Sequence, residues 1–274
     1  MNTTADYYEI DRLSFSALKE FAKSPAHYLA YKNQKFDSEA LRFGRFFHSY
    51  ILEPQTLQGK YFSIDETQRP NTSMTMAAKV NKEWKADIIA ENKNKTLVKA
   101  EDAENCERMA AELNAAGWPE FLKGNTEVEK EIFYEFCGVE MKSKLDFINH
   151  DLGVIVDLKT TTDLHDLRKV NQSVANFKYY QQAAIYGAAL TQTTGKKYKY
   201  YLAFCDKKNP GARIMEITPE YLELGLLEVA ELVEEFSKVD FTKVEDLGFK
   251  DQNIKIGMPH YMAENLENLN NKED

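Results

Sequence analysis

Residues 144–161, KLDFINHDLGVIVDLKTT, hold two apolar runs joined by a turn cluster. The first belongs to EMKSKLDFI (140–148), which alternates: Met141, Ser143, Leu145 and Phe147 share one face of a strand, and Lys142, Lys144 and Asp146 the other. NHDLG (149–153) reads as a turn. VIVDLKT (154–160) is then a second strand, with Val154, Val156 and Leu158 on one face and Ile155, Asp157 and Lys159 on the other. Charges on an otherwise apolar strand are costly unless they are paired or hold an ion. If the hairpin closes at the turn, Asp146 reaches the same sheet face as Asp157. Two carboxylates, with the Leu158 carbonyl, offer the oxygen ligands that a hard cation such as Mg²⁺ prefers. Lys159 adds an ammonium that can orient a water or neutralise charge developing on a phosphate. A buried Asp–Lys pair that only fixes strand register would leave the same trace, so the triplet alone decides nothing.

The chain around the hairpin is read outward from it. EVEKEIFYEF (127–136) has the β-branched and aromatic content of a strand, and Gly138 offers a turn into the next one. Upstream, residues 14–31 read as a helix capped by Ser14 or Ser16 and stopped by Pro25. Residues 38–53 read as a second helix, ended by Pro54, with Phe43, Phe46, Phe47, Tyr50 and Ile51 at helical spacing. Residues 55–75 read as loop, and 76–92 and 101–115 as helices. Downstream come a helix over 176–190, strands at 197–205 and 213–218, and a long helix over 219–238 behind Pro219. The expectation is one α/β domain over 1–274: a helical N-terminal part at 10–115, a sheet-bearing core at 125–238 and an irregular tail at 240–274, its last ten residues disordered.

Composition narrows the class. Hydrophobic residues make up 43% and aromatics 12%, enough for a packed core. No apolar run is long enough to span a bilayer. The opening MNTTADYYEIDRLSF lacks a basic segment followed by an apolar run, which leads us to expect a cytoplasmic location. Cys106, Cys137 and Cys205 are far apart and form no CxxC pair, the pattern of reduced thiols rather than a metal or disulfide framework. The net charge of −9 disfavours nucleic acid as a partner, but the charge is uneven. KKYKYYLAFCDKK (196–208) carries five lysines and one aspartate, whereas Glu220 to Asp246 carries nine acids and two lysines. A phosphate meets the local field, not the global charge.

KLDFINHDLGVIVDLKTT resembles the PD-(D/E)XK nuclease signature, with Asp146 and Asp157 as the acids and Lys159 as the lysine; Leu145 stands where the signature usually has proline. YYQQAAIYG contains Gln182-x-x-x-Tyr186, similar to the helix motif of the RecB-like branch, and Tyr179, Gln182 and Tyr186 share a helix face. LRFGRFFHSYILEP, with Gly44-x-x-x-His48, is similar to the RecE or exonuclease VIII type of phage recombination exonuclease. LSFSALKEFAKSPAHY, the helices around Trp84 and the strand bearing Glu129 resemble further parts of that family. The resemblance spans residues 10–220.

It implies a mixed central sheet flanked by helices, and a Mg²⁺-dependent 5′→3′ exonuclease, with Mn²⁺ as a possible substitute, that acts on double-stranded DNA ends and leaves a 3′ tail. Glu129, Asp146, Asp157, His48 and the Leu158 carbonyl would hold metal. Lys159 would assist the attacking water. Gln182 would position Lys159, a ligand or the substrate. Tyr179 or Tyr186 would pack near the nucleotide. Lys142 or Lys144 would contact DNA, although the family usually has arginine at the second position and a lysine cannot grip a phosphate bidentately. Lys196, Lys197 and Lys199 would line a duplex channel. Expected partners are an annealing protein of the RecT kind and further copies of the chain in a ring-like trimer or tetramer, with no membrane. The alternatives are another RecB-like endo- or exonuclease, or an inactive DNA-binding protein of the same fold.

Overall fold

A computed structural model describes residues 7–33 and 38–244. In chain order the elements are β1 (Leu13–Ser14), α1 (Phe15–Phe21), α2 (Pro25–Asn33), α3 (Glu39–Leu52), α4 (Leu57–Lys60), β2 (Tyr61–Ser63), α5 (Lys79–Glu91), β3 (Thr96–Val98), α6 (Ala100–Ala115) and α7 (Trp118–Phe121). Then follow β4 (Thr126–Phe136), β5 (Val139–Asn149), β6 (Val154–Thr161), α8 (Leu167–Asn176), α9 (Tyr179–Thr194), β7 (Lys199–Asp206), β8 (Ala212–Glu216) and α10 (Pro219–Ser237). The chain divides into two units, residues 1–239 and 240–274. Of the second, only a short 3₁₀ turn at Phe241–Lys243, capped by Asp240, is described. The rest of the expected tail lies outside the described residues. No described helix is long and apolar enough to cross a membrane.

The centre is a mixed six-stranded sheet flanked by helices, as the sequence led us to expect. β4, β5 and β6 form an antiparallel meander, β7 joins β6 in parallel, β8 closes the edge antiparallel to β7, and β1 lies parallel to β5. The first hairpin turns on Cys137 and Gly138, both at positive φ, the conformation that a two-residue hairpin loop matching strand twist requires. The second turns on Asn149, whose side-chain oxygen accepts from the N–H groups of Asp151 and Leu152. One sheet face (Phe147, Val154, Val156, Leu158, Ala203) packs on α3 and α6 through Phe43, Phe47, Met109 and Leu113. α9 lies against β4, β5 and β7, and α10 packs on α9.

Two helical expectations needed correction. The single helix over 14–31 is two, because Pro25 opens the second rather than ending the first; proline fits the first turn, where no N–H partner is needed. Ser14 caps the first and Ser24 accepts from His27 N–H at the second. The helix over 176–190 starts at Tyr179, and a separate helix, α8, precedes it. The stretch 55–75, read as loop, holds α4 and β2, and β2 pairs in parallel with β3.

Candidate active site

The site is where the sheet forks. β4 occupies one edge of β5 from end to end, so β6 and β1 share the other edge. β6 pairs β5 only at Asn149, Ile148 and Phe147, and β1 pairs it only at Met141 and Lys142. Among the described residues, Ser143 to Asp146 have no strand partner on that edge. β6 continues along β7 to Thr161, so beyond Val156 its other edge also lacks a strand. Its backbone groups must be satisfied otherwise. The carboxylate of Asp146 accepts from Leu158 N–H at 2.8 Å, and His48 Nε2 lies 3.1 Å from Leu158 O. The fork is thus filled by an aspartate from β5 and a histidine from α3, and the other nitrogen of His48, Nδ1, lies 3.4 Å from Asp146.

Glu129 sits opposite Asp146 in the β4–β5 register but forms no strand bridge, and its φ of 50° is left-handed. A non-glycine residue held there stores about 1–3 kcal/mol of strain. The ligand atoms of His48, Glu129 and Asp146 all lie within 4.8 Å of one another. The other side of Glu129 is held by Lys144 at 2.9 Å.

Next to this trio is a second group. Asp157 is 2% exposed, and its carboxylate is ion-paired with Lys159. Gln182, from α9, bridges the pair: its Oε1 accepts from Lys159 Nζ at 3.2 Å and its Nε2 donates to Asp157 Oδ1 at 3.2 Å. The Lys159 ammonium lies 4.5 Å over the Tyr179 ring. Burial opposes every charge here. For Asp157 burial wins and the pKa is raised, with Asp146 adding to the rise and Lys159 opposing it. For Asp146 and His48 their mutual attraction outweighs burial, lowering the first and raising the second. For Lys159 burial is outweighed by Asp157 and Asp146, so its pKa is raised and it remains an ammonium.

His48, Glu129, Asp146, Asp157, Leu158, Lys159, Gln182 and Tyr179 therefore meet at one place, with Lys144 at its edge. Tyr186 is buried behind Gln182. Lys142 is not part of the site. Its buried ammonium donates to the carbonyls of Tyr7 and Ile10, each at 2.7 Å, and so ties down the N-terminal segment. Lys199 is aligned with Val154 and bonded to Glu216, five residues from Lys159 along the sheet, or about 16 Å. Lys196, Lys197 and Lys199 are thus at the far end of the sheet from the fork. Nearer are two cations that the sequence reading did not single out. The backbone N–H of Lys207 bonds to Thr161 O, two residues past Lys159, while its ammonium lies over the Phe43 ring. Lys19 of α1 has its pKa lowered by burial and by repulsion from Lys159. Its only trace in the sequence was its place in the opening helix, which does not tell what the helix packs against.

One imidazole, two clustered carboxylates, a bordering carbonyl and a further acid beside them form an oxygen-rich donor set suited to a hard divalent cation such as Mg²⁺ or Mn²⁺. The fit is good for His48, Glu129 and Asp146. Asp157 stands alongside, committed to Lys159 and Gln182.

Comparison with known proteins agrees with this architecture. The profile of a family described as "PDDEXK-like domain of unknown function (DUF3799)" matches residues 14–246. A crystal structure of a proposed exonuclease from Eubacterium rectale superposes with a TM-score of 0.61 at 20% identity, covering 96% of this chain and 98% of that one. A second solved protein, SSO0001, superposes at a TM-score of only 0.31, with 14% identity over 75% of this chain and 89% of that one. No curated protein matches the sequence.

Proposed function

Because the chain belongs to this PDDEXK-like family, we propose that it is a divalent-metal-dependent deoxyribonuclease. More narrowly, we read it as a 5′→3′ exonuclease of the RecE kind that degrades one strand of a DNA duplex. The observation that carries the nuclease reading is the fork, where unpaired strand edges deliver His48, Glu129 and Asp146 beside the Asp157–Lys159–Gln182 group. The polarity and the RecE kind rest on the sequence resemblance.

When bound, a divalent cation would polarise the phosphodiester and lower the pKa of a water. His48, Glu129 and Asp146 would hold it, with the Leu158 carbonyl alongside. The carboxylates of Asp157 and Asp146 beside Lys159 favour its ammonium form. The ammonium donates, orienting the nucleophile and offsetting negative charge as it builds on the phosphate. Asp157 and Gln182 fix the ammonium from two sides and Tyr179 supports it from a third, so its direction is set before substrate arrives. The product, a 3′ single-stranded tail, would suit an annealing protein of the RecT kind. A ring-like trimer or tetramer enclosing DNA would make digestion processive.

The test is digestion of a linear duplex labelled at either end of one strand, in Mg²⁺, Ca²⁺ or EDTA, by wild type and Lys159→Ala. Early release of the 5′ label in Mg²⁺, lost in EDTA and in the variant, is the expected result. Early release of the 3′ label would reverse the polarity. Duplex binding without degradation in any metal would assign the chain to a non-catalytic binding role.

A further inference from the structure

Gly44 lies in the middle of α3, one turn before His48 and on the same face. Glycine inside a helix is normally explained by a positive φ or by close packing. Neither applies. Gly44 is not among the glycines at positive φ, and a Cβ added to it would meet no atom of the described residues within 4 Å. Glycine also weakens a helix relative to alanine. The helix therefore gives up stability at this position for no benefit inside the protein.

The surroundings suggest what benefits. Leu41 and Arg45, on the same helix face, are exposed, so this face is the open approach to His48. Next to Gly44 in the chain, Phe43 carries the Lys207 ammonium 3.9 Å over its ring. At the start of the helix Glu39 is held by Lys99, with Arg42 and Lys207 adding weaker attraction. Among the described residues the approach is therefore uncluttered at its centre and carries one cation on the same face, Arg45, in a chain of net charge −9. We propose that α3 leaves the space at Gly44 for the sugar–phosphate backbone of the DNA strand that passes His48. This rests on the nuclease reading. Gly44 is then a clearance residue, which fixes how closely the strand approaches the His48 side of the fork.

The experiment compares Gly44→Ala and Gly44→Leu with wild type. Gly187→Ala serves as control, since Gly187 is also in a helix, also has nothing within 4 Å of its Cβ, and is off the Tyr179–Gln182 face. Melting temperature, Mn²⁺ affinity by calorimetry, duplex affinity in Ca²⁺ and duplex digestion in Mg²⁺ are measured for each. Gly44→Ala should melt at or above the wild-type temperature with unchanged Mn²⁺ affinity, yet bind and digest duplex more weakly. Gly44→Leu should lose about tenfold or more in both, the size of an overpacking penalty. Gly187→Ala should gain stability and keep full activity. An active wild type with an equally active Gly44→Leu would overturn the inference and leave the nuclease reading standing. Should Gly44→Leu melt low, Gly44→Ala decides: full duplex affinity in that variant rejects the clearance role. A wild type that neither binds nor digests duplex removes the nuclease reading and the clearance role together.

Discussion

Two histidines in this protein each lie between a carboxylate and an oxygen, a few residues apart along the same strands. His48 lies between Asp146 and the Leu158 carbonyl. His150 lies between Glu127 Oε1, at 2.9 Å, and the Tyr198 hydroxyl, at 2.7 Å. As pairs they are alike. Their surroundings differ. At the His150 end β4, β5 and β6 are fully paired, from Thr126–Val128 through Phe147–Asn149 to Val154–Val156, and Lys130 already neutralises Glu127. At the His48 end the strands have parted, and two further carboxylates converge beside the His48–Asp146 pair: Glu129, paired with Lys144, and Asp157, paired with Lys159. A histidine–carboxylate pair is thus not in itself a site. A site arises where backbone pairing is given up and several ion pairs collect at the strand edges left open.

The comparison breaks most sharply at Lys159. Lys159→Ala or Asp157→Asn should lower duplex digestion by about 10³-fold, since each removes or misdirects a preorganised donor at the developing charge. Duplex binding in Ca²⁺ should persist, and a gel-based digestion with a parallel binding assay separates the two. Digestion within tenfold of wild type would mean that the buried pair serves only strand register.

How much of this was legible in the sequence depends on the range of the interaction. The β5–β6 hairpin and its acids were readable because alternation and one tight turn fix which residues share a face, and all lie within sixteen residues, Asp146 to Thr161. Gln182 and His48 required the resemblance, since nothing local says that a helix more than a hundred residues upstream fills a sheet fork. Lys142 misled for the same reason: on a strand it shares a face with Lys144, and its carbonyl partners at Tyr7 and Ile10 are set by tertiary packing alone. α8 was missed because it is short and polar and buries only Val170 and Val174. The break between α1 and α2 was misplaced because Pro25 is compatible with either a stop or a start.

A second tier of variants sharpens the contrast. His48→Ala should lower Mg²⁺ or Mn²⁺ affinity by about 10–100-fold, with digestion falling in parallel, as read by calorimetry. Gln182→Ala should leave metal affinity unchanged, because Gln182 bonds Asp157 and Lys159 and not the His48–Glu129–Asp146 trio. Its digestion should fall by about tenfold through a loosened ammonium. If both variants lower metal affinity equally, the two groups form one ligand set, and Asp157 belongs with the trio.

The smallest effect is expected at His150, where the strands are still paired. His150→Ala removes two hydrogen bonds, to Glu127 and Tyr198, but Glu127 keeps Lys130 and both freed groups can reach water. A loss of about 1 kcal/mol follows, a fall of about 2–4 °C in melting temperature for a chain of this size. Digestion and metal affinity should not change. This variant carries information because it deletes the same chemical pair as His48→Ala from the same sheet. If His150→Ala also cost activity, the ends would be coupled through β5 and β6, and the fork could no longer be treated as a site defined by its own local loss of pairing. If it costs only stability, the difference between the histidines lies in the strand edges around them and not in the pairs they form.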